Sequence, residues 1–265
     1  MKEIQSSKNQ LIKEMKKFHQ KKQRDKEQKY LLEGYHLVEE AVLHGAMIEQ
    51  LFVDPKGLAD YGEWLEKQAL ELTLVTEEVL KSLSELPTPQ GIVALVHKEE
   101  RIISDYHGKW LLLDHVQDPG NVGTLIRTAD AAGFSGVILG EGSADIYSTK
   151  VLRSMQGSHF HLPVVSANLF EVIDQLKKEK VPVYGTELNP AAITYTSIPE
   201  SASVALILGN EGQGVQKELL TQTDQNVYIP LYGAAESLNV GVAGGILMYH
   251  FASLIAQYLS TIVTI

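Results

Sequence analysis

The chain of 265 residues has no cysteine, which excludes a disulfide scaffold, thiolate catalysis and cysteine-ligated metal and suits a reducing compartment. A cytoplasmic location is expected. Long apolar runs are also missing, since no segment approaches the roughly 18 residues a membrane-spanning helix needs. The first thirty residues, MKEIQSSKNQLIKEMKKFHQKKQRDKEQKY, lack the apolar core of a secretory leader, so a soluble protein without a membrane partner is expected. The nine histidines show no H-x-x-x-H or H-E-x-x-H spacing, so no metal site is expected. Neither G-x-G-x-x-G after a strand nor G-x-x-x-x-G-K-[ST] occurs, which removes the common dinucleotide and P-loop readings. There is no internal repeat and no low-complexity tract.

The charge is uneven. The net value is −10, yet residues 1–30 carry +6 and the remainder −16. A basic stretch containing Lys13, Lys16, Lys17, Lys21, Lys22 and Arg24 on an acidic body is the footprint of a nucleic-acid partner, or else a solvated helix face. Lysine–phosphate contacts weaken with salt and carry no sequence information.

Helix and strand patterns alternate from end to end, predicting an α/β protein. A small α/β domain is expected over 1–98, a polar linker over 99–108, and a larger domain over 109–265. In the larger domain KWLLLDHV, GVILG, VPVYGT, SVALILG and NVYIPLYG read as buried strands, separated by amphipathic helices. Such runs imply a parallel sheet covered on both faces. Ligands of these sheets sit beyond the carboxyl ends of the strands, here the loops near 115–123, 185–189, 209–214 and 230–238.

Three segments fall in those loops. DPGNVGTLIRTADAAGF places Asn121, Gly123 and Arg127 where a strand gives way to a helix, whose free N–H groups favour an anion. LILGNEGQGV sets Asn210 and Glu211 among glycines, and ESLNVGVAGGILMYHF puts Ser237 and Asn239 at the mouth of an apolar helix. Ser and Asn there are natural helix caps. The small residues Gly241, Ala243, Gly244 and Gly245 that follow need another cause, because each glycine costs a helix about 1 kcal/mol against alanine. Close approach of a backbone, a ligand or a second subunit is that cause.

In this order and spacing the three segments resemble the motifs of the SpoU (TrmH-like) RNA ribose 2′-O-methyltransferases of the SPOUT superfamily. Residues 6–53 are similar to the L30e-like RNA-binding extension of many members. Two departures stand out: Gly241 occupies a position where serine is common, and RSMQGSHF replaces the usual Arg-Ala-Ser-x-Gly wording. The resemblance implies a knotted SPOUT α/β catalytic domain with a trefoil knot near its C-terminus, behind an L30e-like domain.

It further implies S-adenosylmethionine as cofactor, with Thr186, Gly209, Asn210, Gly214, Ile229, Leu231 and Leu238 in contact with it. Asn121, Arg127, Glu211, Ser237 and Asn239 are then the catalytic set. Arg127 acts as general base or as phosphate anchor, Asn121 and Glu211 orient it or the ribose, and Ser237 and Asn239 hold the hydroxyl or phosphate. Lys150 and Arg153 join the N-terminal cations as RNA contacts, or form surface ion pairs. Ribosomal RNA is expected before transfer RNA, and a homodimer through the helix over 238–261. Three rival readings are a base methyltransferase of the same superfamily, an RNA-binding factor without catalysis, and a nucleotide-binding transferase or reductase.

Overall fold

The computed structural model describes residues 2–68, 70–199 and 201–262, with side chains of the last helix described through Ala252. The chain divides into two compact units, one of residues up to 100 with Asp145–Phe160, the other of Arg101–Ala144 with His161 onward.

The first unit contains β1 (Lys2–Ile4), α1 (Gln10–Lys16), α2 (Lys21–Glu27), β2 (Lys29–Glu33), α3 (Tyr35–Leu43), β3 (Ile48–Val53), α4 (Pro55–Lys67), β4 (Leu72–Val75), α5 (Glu77–Leu83) and β5 (Ile92–His97). Its sheet runs β1-β4-β3-β5-β2. β5 lies antiparallel to both neighbours, and β1, β4 and β3 are parallel. Ile12, Met15 and Phe18 bury against Phe52, Leu80, Val93 and Leu95, which uses the apolar stripe of the basic α1 segment. Sequence periodicity starts α4 near Gly62, but the helix begins at Pro55 because Asp54 accepts the Gly57 N–H at 2.8 Å and Pro fits a first turn.

The second unit is built from β6 (Lys109–Leu113), α6 (Pro119–Ala131), β7 (Gly136–Leu139), β8 (Val164–Ser166), α8 (Leu169–Lys178), β9 (Val183–Thr186), β10 (Ile193–Thr194), β11 (Val204–Leu208), α9 (Lys217–Leu220), β12 (Gln225–Tyr228) and α10 (Val240–Ile262). The remaining helix, α7 (Thr149–Met155), lies between β7 and β8 in sequence but packs within the first unit. The continuous second domain expected over 109–265 therefore gives up 145–160. Val151, Leu152 and Met155 of α7 are buried, and His159 bonds the Tyr30 hydroxyl at 3.0 Å, so that segment has its apolar partners in the first unit.

The seven strands run β10-β12-β9-β11-β6-β7-β8, and every pairing is parallel. Trp110, Leu112, Ile138, Ala205 and Ile207 pack under α8 and α9. Alternation sends Leu111, Leu206 and Leu208 to the other face, where α10 comes so near that a Cβ on Gly244 would lie 2.3 Å from Leu125 Cδ2 and 2.8 Å from Leu208 Cδ1. Close packing of the Leu125 and Leu208 side chains on α10 thus accounts for Gly244. Among the described residues no helix is long and apolar enough to cross a membrane.

Candidate active site

Parallel pairing brings four strand ends to one edge. Val227 of β12 pairs with Thr186 of β9, Gly185 with Ile207 of β11, and Leu208 with Leu113 of β6. The loops at 114–118, 187–189, 209–216 and 229–239 therefore leave the sheet side by side, where open parallel sheets hold ligands.

Three of these loops are tied by one chain of side chains. Asp118 caps α6 by accepting the Asn121 N–H at 2.9 Å, so the helix starts at Pro119, before the NVGTLIR segment. Glu211 reaches across from the β11 loop and accepts from the backbone N–H of Gln117 (3.3 Å) and Asp118 (3.2 Å) and from Asn121 Nδ2 (3.0 Å). Burial alone raises the Glu211 pKa, but the bonds from Asn121 and from the backbone of Glu211, Asp118 and Gln117 outweigh it and hold the carboxyl below its ordinary value. Asn121 Oδ1 in turn accepts from Asn239 Nδ2 at 3.0 Å, and Asn239 Oδ1 accepts from Gly241 N–H (2.9 Å) and Val242 N–H (3.3 Å). Asn239 is therefore the side chain that caps α10. The relay Glu211–Asn121–Asn239 joins residues some 90 and 118 positions apart.

The β11 loop is tightly folded. A Cβ on Gly209 would stand 2.1 Å from the backbone of Gly214 and Val215, so only glycine fits. Asn210 and Gly214 bond each other through both backbone groups, Gly214 has φ +73°, and Asn210 Oδ1 accepts from Gly212 and Gln213 while Nδ2 donates to His115 O. Asn210 and Gly214 shape the loop. Beneath it, the buried Asp114 carboxylate accepts the Gln216 N–H and Nε2–H, both at 2.7 Å, and lies 2.8 Å from His115 Nδ1. Sequence reasoning passed over this clamp, whose only local signal is an acid ending the apolar run KWLLLD.

Comparison with known proteins bears on this edge. The model of the SpoU rRNA Methylase family matches residues 109–249, and that of the MRM3-like substrate binding domain matches residues 9–94. The chain belongs to the SpoU rRNA methylase family. It is 50% identical over 250 residues, 94% of this chain and 99% of the other, to the 23S rRNA (guanosine(2553)-2′-O)-methyltransferase RlmP of Bacillus subtilis. An AdoMet-bound rRNA methyltransferase from Sinorhizobium meliloti superposes with a TM-score of 0.85 at 32% identity, covering 95% of this chain and 97% of that one. The SpoU methyltransferase AviRb of Streptomyces viridochromogenes, in complex with AdoMet, gives 0.83 at 26% identity over 94% and 99%.

On this SpoU-family edge, Arg127 and Ser237 are exposed and have no hydrogen bond or ion pair among the described residues. They are available to a substrate. Thr186 donates its hydroxyl to Ile207 O at 3.0 Å, Ile229 and Leu238 are half-buried, and Leu231 is 41% exposed.

Of the expected RNA contacts, Lys13, Lys17, Lys21, Lys22, Lys150 and Arg153 are exposed and Lys16 is half-buried. Arg24 corrects the expectation. It is buried, donates to Phe18 O and His19 O at 2.7 Å each, and pairs with Asp145 at 2.6 Å. Those partners hold the guanidinium inside the unit and away from phosphate.

Proposed function

We propose that this chain transfers a methyl group from S-adenosylmethionine to a ribose 2′-hydroxyl of 23S ribosomal RNA, at the guanosine named for its Bacillus subtilis relative. The observation that carries the reading is the Glu211–Asn121–Asn239 relay, which holds three separate loops beside the unpartnered Arg127 and Ser237. Fifty per cent identity across 94% of the chain supports the same substrate.

When bound, S-adenosylmethionine supplies an electrophilic sulfonium methyl; Thr186, Gly209, Ile229, Leu231 and Leu238 would hold it. The ribose hydroxyl is a very weak acid, so the protein must align it and promote loss of its proton. Arg127, whose guanidinium does not lose its proton in proteins, is a poor base and a strong phosphate ligand. It anchors the RNA phosphate. Ser237 Oγ and the remaining Asn239 N–H direct the hydroxyl, and Glu211 sets the Asn121 amide that orients Asn239.

The first unit binds RNA and the second catalyses. Val242, Ile246 and Tyr249 of α10 are 54%, 36% and 54% exposed at a helical spacing that makes one stripe, which supports a homodimer through this helix. Side chains from Ser253 onward, also expected at that interface, lie outside the described residues. The return of α10 onto α6 and β11 at Gly244 supports the knotted passage. A protein that modifies ribosomal RNA works in the compartment of the ribosome.

The test is transfer of labelled methyl to unmodified ribosomal and transfer RNA, kept separate, by the wild type, Arg127→Ala and Asn239→Ala. Label in ribose of 23S RNA that both substitutions sharply reduce is expected. Label on a base, or in transfer RNA alone, refutes the assignment.

A further inference from the structure

Two adjoining hollows of about 590 and 420 Å³ open in the first unit and share Leu86 and Arg153. Both volumes fall in the range of small-molecule sites, about 300–1,000 Å³. The segment Leu86–Gln90, stiffened by Pro87 and Pro89, lines the first, and Glu85 and Leu86 line the second.

The chemistry of the lining is specific. Lys56 of α4 and Arg153 of α7 are exposed, and their charged groups make no ion pair or hydrogen bond among the described residues, while Lys150 lines the second hollow. Tyr61 lines the first. Its ring stacks on Tyr35, with centroids 4.3 Å apart and planes 15° from parallel, and Trp64 meets Tyr35 edge-on at 5.1 Å. The Tyr35 hydroxyl is itself fixed, donating to Glu39 at 2.7 Å. Tyr61 is thus a braced flat ring that lines the same hollow as Lys56 and Arg153. Asp60 and Gln90 add an acceptor and an amide to the first hollow, and Glu85 in the second is already bonded to Thr149 at 2.5 Å.

We propose that this groove holds an unstacked nucleotide of the substrate RNA, with phosphates on Lys56 and Arg153, the base on Tyr61 and its edge on Gln90. Sequence-tolerant stacking on aromatics beside a cationic track is how single strands are held, and splayed bases are what proteins read in RNA. The proposal rests on the function proposed above and adds a site to it. That site is composite: the MRM3-like match ends at residue 94, while Arg153 falls within the methylase match. Neither family region contains it whole.

The test measures equilibrium binding of the full chain to an unmodified 23S rRNA transcript across a salt series, beside methyl-transfer kinetics. Losing two phosphate contacts at about 0.7 each for single strands lowers the slope of log K against log salt by about 1.4 in the Lys56→Ala/Arg153→Ala variant, with affinity down about ten-fold. Tyr61→Leu weakens binding about five-fold without changing the slope, and Tyr61→Phe, which keeps the ring, restores it. Lys177→Ala/Lys178→Ala on α8, an equal loss of two exposed charges, changes neither. In the kinetics KM for RNA rises while kcat and cofactor binding stay constant.

A double variant that melts like the wild type and binds the transcript with wild-type affinity and slope overturns the proposal and hands the groove to a protein partner. If the wild type binds the transcript without methylating it, the function fails while the binding slopes still decide the groove.

Discussion

Replacing Asn121 with aspartate alters one atom of the relay and puts a number on it. Asn121 Nδ2 donates to Glu211 Oε1 at 3.0 Å, and its Oδ1 accepts from Asn239. Aspartate keeps the acceptor for Asn239 but sets a carboxylate oxygen against Glu211. Two charges 3.0 Å apart repel by about 1.4 kcal/mol in bulk water and about 5.5 kcal/mol at an effective dielectric of 20. Glu211 is exposed and Asn121 half-buried, so the lower part of that span applies, about 2 kcal/mol, or some thirty-fold in rate at 1.36 kcal/mol per factor of ten.

The pH response gives the sign. In the wild type the Glu211 pKa lies below its ordinary 4.5, so its contribution is present above that value and is lost only as pH falls through the lower folded pKa. Between pH 5.5 and 8.5 the relay is constant. In Asn121→Asp the donor is gone and a like charge has arrived, so the pair takes up one proton at a higher pH. That proton restores a donor between the two carboxyls, and activity rises as pH falls toward 5.5. Single-turnover methyl transfer to 23S rRNA, with Asn121→Ala beside it, reads both effects. The alanine variant lacks the second carboxyl and follows the wild-type profile at a lower level. Wild-type activity for Asn121→Asp at pH 8, or a loss that does not ease toward acid, refutes the relay.

Gly209→Ala drives a Cβ into the backbone at 214–215 and costs about 3 kcal/mol, the upper end for overpacking; thermal melting reads the loss, and calorimetry on the folded fraction shows cofactor binding gone. Arg127→Ala lowers kcat/KM for RNA about 10- to 150-fold, the equivalent of a charge-assisted bond of about 1.5–3 kcal/mol, while melting moves by less than about 0.5 kcal/mol because the side chain is exposed and unpartnered. Arg24→Ala strands Asp145 and two carbonyls, costs about 3 kcal/mol in denaturant unfolding, and leaves the salt slope of RNA binding unchanged.

What was legible in the sequence was what local pattern encodes. The runs at 109–113, 136–139 and 204–208 are strands buried on both faces, 183–186 is buried except at Thr186 and 225–228 only at Val227, and the polar motifs fall in their terminal loops because parallel strands share an edge. Long-range partners were not legible. Nothing near Arg24 announces Asp145, 121 positions away, so it read as one more cation in a basic run. The same blindness put 145–160 in the second domain, since α7 is amphipathic wherever it docks. Strand β1 has three residues, too few for a period to emerge. At α10, Ser237 and Asn239 are both good caps by type, and only the Asn239 bonds to Gly241 and Val242 select between them.

The insertion of α7 into the first unit has a bearing on synthesis. A ribosome that has released residue 100 has not yet supplied the buried Val151, Leu152 and Met155 nor the Asp145 partner of Arg24. At about 5–20 residues per second another 60 residues take roughly 3–12 s to emerge. During that interval the nascent first unit exposes the surface that α7 later covers, and a fragment cut at residue 100 keeps it exposed for good.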